Sequence, residues 1–187
     1  MSLRIIGGQF KGRILKAPKG LSTRPTQGML RESVFNICQN EIQGAHFLDL
    51  FAGTGAMGLE ALSRGARHAT LVESDRKALS SIRENIAILQ VASQTTLIAC
   101  DAKHAVKRLS GSFDIIYIDP PYHTPAAPFV EELIARGHVA EAGILFMEER
   151  NHPNPSPPHF SLLYLAGSRR FGEALLHQYR FSAKREI

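Results

Sequence analysis

The stretch FLDLFAGTGAMG, residues 47–58, decides the fold. Its apolar beginning predicts a buried β-strand, and the glycines that follow, Gly53, Gly55 and Gly58, satisfy the spacing G-x-G-x-x-G. A helix is predicted over 56–63, before Gly65 stops it. A strand that passes through a glycine-rich turn into a helix is typical of the first unit of a parallel sheet that binds a nucleotide-like ligand.

Strand-like and helical patterns alternate along the rest of the chain. Strands are predicted over 46–50, 69–73, 95–99, 113–118 and 144–148, and the later helices over 75–89, 102–109 and 126–136. No helix fits between the last two strands, 160–166 and 174–181, so we expect a hairpin in which one strand is antiparallel. The pattern predicts an α/β fold with a doubly wound, mostly parallel, seven-stranded sheet and an antiparallel last strand.

The segment before this sheet differs from it in composition. Two short strands around glycine turns are predicted over 3–17, and a helix begins at Thr26 and ends near Gly44. We therefore divide the chain into a small N-terminal β extension, 1–25, and a main domain, 26–187. Residues 1–31 hold no acidic side chain but seven basic ones: Arg4, Lys11, Arg13, Lys16, Lys19, Arg24 and Arg31. Such a segment suits nucleic acid, although a solvated basic arm without a partner has the same composition.

The overall composition is that of a globular protein with one main domain. The 187 residues are 44% hydrophobic and 21% charged, and no apolar run reaches the length of a membrane span or a signal peptide. We expect both cysteines, Cys38 and Cys100, to be reduced and buried, and the protein to be cytoplasmic and free of membranes. The eight histidines show no metal-site spacing, so no metal is predicted.

The glycine loop indicates a cofactor site. Glu73 follows Gly53 by twenty positions at the end of the next predicted strand, as in dinucleotide-binding proteins. Asp49, four residues before Gly53, argues against a diphosphate there, because its carboxylate would repel the phosphates and attract a cationic amino acid group. A tight turn with a satisfied surface acid is the plainer alternative. The pattern D-x-F-x-G-x-G resembles motif I of S-adenosylmethionine-dependent methyltransferases.

That resemblance implies cofactor contacts at the ends of three strands. The glycine loop would approach the amino acid portion, Glu73 the ribose hydroxyls, and Asp101 the adenine amine. The candidate cofactor-binding residues are Asp49, Phe51, Gly53, Thr54, Gly55, Glu73, Ser74, Asp101 and Ala102.

A second motif, IDPPYH at 118–123, ends the fourth predicted strand. Its prolines stop the strand at the edge where such sheets bind ligands, although a simple turn would also explain them. The motif resembles motif IV of amino methyltransferases, in which Asp119 and the carbonyl of Pro120 would accept the N–H bonds of a base amine. Pro121 would keep that carbonyl rigid, and Tyr122 would stack on the base, a contact worth roughly 1 to 3 kcal/mol.

Longer stretches extend the resemblance over nearly the whole chain. They are RIIGGQFKGRIL at 4–15, RPTQGMLRESVFN at 24–36, the glycine loop and its helix at 47–66, IDPPY at 118–122 and FGEALLHQYR at 171–180. Together they resemble the bacterial family that methylates a guanine N2 in 16S ribosomal RNA. The resemblance implies S-adenosyl-L-methionine as cofactor and 16S rRNA, in an assembled or assembling 30S subunit, as substrate. The proline-rich stretch 151–159 matches no feature of that family.

We expect the enzyme to act as a monomer and the basic extension to contact RNA. The candidate RNA-binding residues are Arg4, Lys11, Arg13 and Arg24, whereas Arg31 and Glu32 are expected to be structural. Three other functions have to be weighed. An adenine-N6 DNA methyltransferase would need a recognition domain for which this chain has no room. A non-catalytic nucleic-acid-binding protein would not need Asp119 and Asp49. A nicotinamide dehydrogenase would rest on the glycine spacing alone.

Overall fold

The computed structural model describes residues 3–18, 25–121, 123–151 and 156–182 of the chain. Its helices are α1 (Pro25–Ile37), α2 (Ala56–Ser63), α3 (Arg76–Leu89), α4 (Ala102–Val106) and α5 (Ala127–Ala135), with a short 3-10 turn over Ala92–Gln94. Its strands are β1 (His46–Asp49), β2 (His68–Glu73), β3 (Thr95–Ala99), β4 (Phe113–Ile118), β5 (Val139–Arg150), β6 (Leu163–Phe171) and β7 (Ala174–Phe181).

The strands form one seven-stranded sheet in the order β3-β2-β1-β4-β5-β7-β6. The first five are parallel, β7 lies antiparallel to β5, and β6 lies antiparallel to β7. The predicted doubly wound fold with its antiparallel strand is therefore confirmed. Strand order reverses between β1 and β4, which pair directly, with Asp49 opposite Tyr117. The glycine loop and the Asp119 motif consequently leave the sheet side by side, where doubly wound folds bind ligands.

Helices cover both faces of the sheet, because neighbouring residues of its central strands point to opposite sides. Phe47 and Ile115 pack into a core with residues of α1, α2 and α3, whereas Leu48 and Ile116 pack into a core with residues of α4 and α5. All four side chains are fully buried. Full burial of such a side chain is worth about 1.5 to 3 kcal/mol, so the two cores fix the position of the strand ends.

Several predicted boundaries are wrong. The first helix ends at Ile37 instead of near Gly44, and α4 ends at Val106 instead of 109. The fifth strand was predicted over 144–148, and regular pairing with β4 does run through these residues. The strand nevertheless starts earlier, at Val139, and its pairing is interrupted by an irregularity at which Ala142 has a φ of 65°. The sixth strand was predicted over 160–166, yet β6 runs from Leu163 to Phe171, because as an edge strand it accommodates polar residues.

The N-terminal segment does not form the two predicted strands. Within the described residues 3–18 it makes one antiparallel bridge, Arg4 to Ile14, together with a few turn hydrogen bonds. Gly8, with a φ of 76°, packs so closely on the end of α2 that a Cβ would lie 1.8 Å from the carbonyl oxygen of Ser63. The segment therefore follows the surface of α2 instead of extending as a ladder. The division of the chain at residue 25 stays a prediction.

The two cysteines differ in burial. Cys38 is buried as expected, but Cys100 is only half-buried, because it follows β3 near the open edge of the sheet.

In the part of the chain that the structure describes, no helix has the length and apolar character needed to cross a membrane.

Candidate active site

The glycine loop begins the site, and neighbouring strands hold it in place. The N–H of Leu50 donates to the carbonyl of Tyr117, and that of Ala52 to the carbonyl of Val72. Gly53 and Gly55 have φ angles of 54° and 76°, which non-glycine residues rarely adopt. These angles turn the backbone sharply from β1 into α2 and leave the loop at the edge of a cavity.

Glu73 fixes the loop from the end of β2. Its carboxylate accepts hydrogen bonds from the N–H groups of Gly53, Ser74 and Asp75, each at 2.7 Å. At the end of the next strand, Asp101 caps α4 by accepting from the N–H of Lys103 at 2.8 Å. Two carboxylates are thus anchored by backbone donors at the ends of β2 and β3.

A cavity of about 480 Å³ lies between these strand ends, and we call it the cofactor cavity. Its walls include many of the residues that the sequence singles out: Phe51, Gly53, Glu73, Ser74, Asp101, Ala102, Asp119, Pro120 and Pro121. The sequence did not identify the remaining lining residues: Gln27, Leu50, Val72, Cys100, Lys103, Thr124, Phe129 and Glu148. The lining combines carboxylates and other polar groups with apolar side chains such as Leu50, Val72 and Phe129, a mixture that fits a nucleoside carrying an amino acid.

Three predicted cofactor residues do not line this cavity. Thr54 and Gly55 turn into α2, and the carbonyl of Thr54 accepts from the side chain of Asn85 at 3.2 Å. Asp49 is 1% exposed and lies beneath the loop, where it accepts from the N–H of Gly58 at 3.3 Å. Burial, with a smaller contribution from Glu73, raises the pKa of Asp49 to about 7. Its carboxylate supports the loop from below instead of facing the cavity.

A second cavity of about 350 Å³ adjoins the first, and we call it the base cavity. Five residues line both cavities: Asp119, Pro120, Pro121, Thr124 and Glu148. Only the base cavity is lined by His123, Pro125, Ala126, Glu149, Arg150 and Ala174. The Asp-Pro-Pro motif is therefore the shared wall of two spaces, as the transfer of a group from one bound molecule to another requires. Tyr122 lies outside the described residues.

The shared wall carries two carboxylates in close electrostatic contact. The pKa of Asp119 is raised to about 8 by burial, and then by the charges of Glu148 and Asp49. Burial also raises the pKa of Glu148, which accepts a 2.5 Å hydrogen bond from the hydroxyl of Tyr117. The sequence analysis missed Glu148. The only signal was a carboxylate at the end of a predicted strand, and nothing in the sequence placed that strand beside β4.

Three of the four predicted RNA-binding residues lie in the part of the chain that the structure describes. Arg4, Lys11 and Arg13 are exposed, and Arg24 lies outside the described residues. Arg31 is buried, donates to the carbonyl of Arg4 at 2.8 Å and lies 3.5 Å from the carboxylate of Glu60, which agrees with a structural role. Among the described residues, no group of three or more His, Cys, Asp or Glu side chains could hold a metal ion.

Comparison with known proteins identifies the family. A family model described as "Conserved hypothetical protein 95" matches residues 3–180. "Putative rRNA methyltransferase YlbH" of Bacillus subtilis is 42% identical over 91% of this chain and 94% of its own length. "Ribosomal RNA small subunit methyltransferase D" of Escherichia coli K12 is 36% identical over 78% of this chain and 74% of its own. The solved structure of "Putative methyltransferase yhhF" from Escherichia coli has a TM-score of 0.89 and 32% identity, and covers 98% of this chain and 100% of that one.

These likenesses extend from the N-terminal segment to the last strand, and they confirm the resemblance that the sequence motifs predict. The relatives' names agree with the predicted methyltransferase class. The chain therefore belongs to the family described as Conserved hypothetical protein 95, together with these methyltransferases.

Proposed function

We propose that the protein transfers a methyl group from S-adenosyl-L-methionine to the exocyclic N2 amine of a guanine in 16S rRNA. The observation that carries this proposal is the wall of Asp119, Pro120 and Pro121 shared by the cofactor cavity and the base cavity. Relatives named as rRNA methyltransferases support the class of substrate. We propose that the enzyme acts as a monomer in the cytoplasm on an assembled or assembling 30S subunit.

The cofactor cavity offers groups that match S-adenosylmethionine. The carboxylate of Glu73, held by three backbone donors, would accept the ribose hydroxyls. Asp101 and Ala102 lie at the end of β3, where an adenine amine would find an acceptor. The cofactor supplies an electrophilic methyl group on a cationic sulfur. The buried charge of Asp49 beneath the loop would attract the cofactor's cationic amino acid end.

The shared wall would prepare the amine for attack. The lone pair of an exocyclic base amine is delocalised into the ring, so the amine is a weak nucleophile. Asp119 and the carbonyl of Pro120 would accept its two N–H bonds, which favours a tetrahedral nitrogen and stabilises the positive charge that develops on it. With a pKa of about 8, Asp119 is also suited to take the proton that the nitrogen releases as the new N–C bond forms.

Methyl transfer onto isolated small subunits tests this proposal. Subunits from a strain that lacks the enzyme would be incubated with tritiated S-adenosylmethionine, and the labelled nucleosides identified by chromatography. We expect N2-methylguanosine from the 16S RNA. N6-methyladenine in DNA, or label in any other nucleoside, would contradict the proposal. The same assay on naked 16S RNA shows whether the assembled subunit is needed.

A further inference from the structure

The position of Glu148 in the sheet sets it beside the reacting amine. Ile118 of β4 pairs with Met147 of β5 in parallel register, so Asp119 and Glu148 are the next residues along two adjacent strands. Both line the cofactor cavity and both line the base cavity. A planar base whose amine contacts Asp119 could therefore place one of the two ring nitrogens beside that amine, N1 or N3, next to Glu148.

Tyr117 holds Glu148 as a hydrogen-bond acceptor. The Tyr117 ring is 4% exposed, and its hydroxyl donates to one carboxylate oxygen, Oε2. Burial and the surrounding carboxylates raise the pKa of Tyr117 well above its usual value, so this hydroxyl keeps its proton and donates it to Glu148. Burial raises the pKa of Glu148, and the Tyr117 donor opposes that rise by favouring the ionised carboxylate, whose remaining lone pairs accept further hydrogen bonds.

The edge of guanine fits two neighbouring acceptors. Its N2 amine and its N1–H are adjacent donors, whereas adenine carries a lone pair at N1 beside its amine. We propose that Glu148 is a specificity-determining residue that accepts the N1–H of the target guanine while Asp119 accepts from the N2 amine. This inference rests on the proposed guanine-N2 activity, and it names the group that would select guanine.

A base with an acceptor at N1 would meet a penalty in this site. The lone pair on N1 would face a carboxylate that is only partly accessible to water, and the carboxylate would lose a donor. Sites built to bond a substrate N–H reject analogues that lack it far more strongly than sites built on shape alone. Glu148 would thereby exclude adenine, even though the Asp-Pro-Pro motif could hold the amine of either base.

2-Aminopurine tests this contact, because it keeps the 2-amine but has a lone pair at N1; it also lacks the O6 oxygen, so the change of the base preference in Glu148→Gln, and not the preference alone, reports the N1 contact. Small subunits would be reconstituted from 16S RNA that carries either guanine or 2-aminopurine at the methylated position. For the unaltered enzyme we expect kcat/KM for guanine to exceed that for 2-aminopurine by about 100-fold or more. In Glu148→Gln the carboxamide can donate to N1, so we expect the ratio to fall by about tenfold or more.

Two further variants complete the test. Glu141→Gln makes the same chemical change at the exposed opposite end of β5 and should leave the ratio unchanged. Glu148→Asp keeps an acceptor and should retain the preference for guanine at a lower rate. Binding of S-adenosylhomocysteine by each variant reports a folded cofactor cavity.

The inference is overturned if the unaltered enzyme methylates both bases equally well, or if a folded Glu148→Gln protein keeps the full preference. If Glu148→Gln fails to fold, Glu148→Ala, which removes the acceptor, takes its place: the ratio of the two bases should fall, and a folded Glu148→Ala protein that keeps the full preference overturns the inference. If the unaltered enzyme labels no guanine N2 in native subunits, it is the proposed function that fails, so the two failures are distinguishable.

Discussion

Asp119 carries a charge that its surroundings disfavour. It is buried beside two other carboxylates, Glu148 and Asp49, and its pKa is raised to about 8. Such an arrangement costs stability and is common where a group takes part in proton transfer. At neutral pH the Asp119 carboxyl group would be protonated in a large fraction of the molecules. A protonated carboxyl group is a weaker acceptor for the N–H bonds of the amine. The charge state of this one residue should therefore control the rate.

The pH dependence of the reaction follows from that pKa. In the proposed mechanism the active form has an ionised Asp119, so we expect kcat/KM to rise about tenfold per pH unit below pH 7 and to level off above a half-maximal pH near 8. In Glu148→Gln one neighbouring negative charge is lost, so the half-maximal pH should move downward. Initial rates on small subunits between pH 6 and 9.5 measure both curves. A rate that is flat over this range would contradict the role of Asp119.

Asp49 gives a second prediction, concerning stability. Burial raises its folded-state pKa to about 7, so the folded protein binds a proton that the unfolded chain releases above pH 4. The stability contributed by this group is present below pH 4 and is lost as pH rises toward 7. Asp49→Asn, whose amide oxygen can still accept from Gly58, should therefore gain in free energy of unfolding relative to the wild type as pH rises from 5 to 8.5, by about 3 kcal/mol. Urea denaturation of both proteins at pH 5 and at pH 8.5 measures their free energies of unfolding. If Asp49→Asn differed from the wild type by the same amount at both pH values, the explanation would be contradicted.

At the scale of elements, α2 joins the N-terminal segment to the sheet. Its fully buried Glu60 accepts from the N–H groups of Ile6 and Gly7 at 2.8 and 2.7 Å and from Arg64 at 2.8 Å. Arg31 of α1 lies 3.5 Å from the same carboxylate. A single side chain thus ties together the segment, α1 and α2, and its charge is fully compensated by these donors.

Removal of Glu60 should be costly for that reason. Glu60→Ala leaves the buried Arg31 guanidinium without its counter-ion and the N–H groups of Ile6 and Gly7 without their acceptor, and we expect a loss of about 3 to 5 kcal/mol in free energy of unfolding. Limited proteolysis should also cut within residues 3–18 more readily than in the wild type. The matched control is Glu132→Ala, which breaks an exposed pair with Arg136 on α5 and should change little. Equal effects of the two substitutions would show that the Glu60 cluster does not anchor the segment.

Some of these elements and site residues could be predicted from the sequence, and others could not. The glycine loop and IDPPY could be placed because each is a local pattern whose backbone demands glycine or proline. Glu148 could not, since its place beside Asp119 depends on β5 pairing with β4, which is a long-range contact. The limits of β6 were misjudged because an edge strand takes polar residues such as Arg169 and Arg170. The N-terminal segment was misjudged because several of its backbone N–H groups bond to Glu60 and Ser63 of α2, so that a single bridge, Arg4 to Ile14, replaces the predicted strands.

At the scale of the whole molecule, the basic N-terminal segment and the catalytic cleft belong to one packed unit. Ile5 and Leu15 of the segment are buried in the same core as Phe47 of β1. The side chain of Asn85 on α3 bonds the N–H and carbonyl of Lys16 as well as the carbonyl of Thr54 in the glycine loop. We propose that RNA held by the segment is thereby positioned relative to the cofactor.

Charge removal tests the contribution of this segment to RNA binding. Lys11→Ala combined with Arg13→Ala removes two exposed charges, so affinity for small subunits should fall about tenfold. The slope of log affinity against log salt concentration should become smaller by about 2. The control, Lys107→Ala combined with Arg108→Ala, removes two exposed charges after α4. Filter binding at several salt concentrations measures both. An equal loss in the control would show that only net charge matters.

The central claim is that the cleft at Asp119 methylates the N2 amine of a guanine in 16S RNA. The most direct measurement is mass spectrometry of 16S RNA nucleosides from a strain that lacks the enzyme, complemented with the wild type, Asp119→Ala or Asp114→Ala. Asp114 lies at the opposite, exposed end of β4. We expect the wild type and Asp114→Ala to restore N2-methylguanosine and Asp119→Ala, which removes the acceptor, to leave it absent. Restoration by Asp119→Ala, or no N2-methylguanosine with the wild type, would contradict the account.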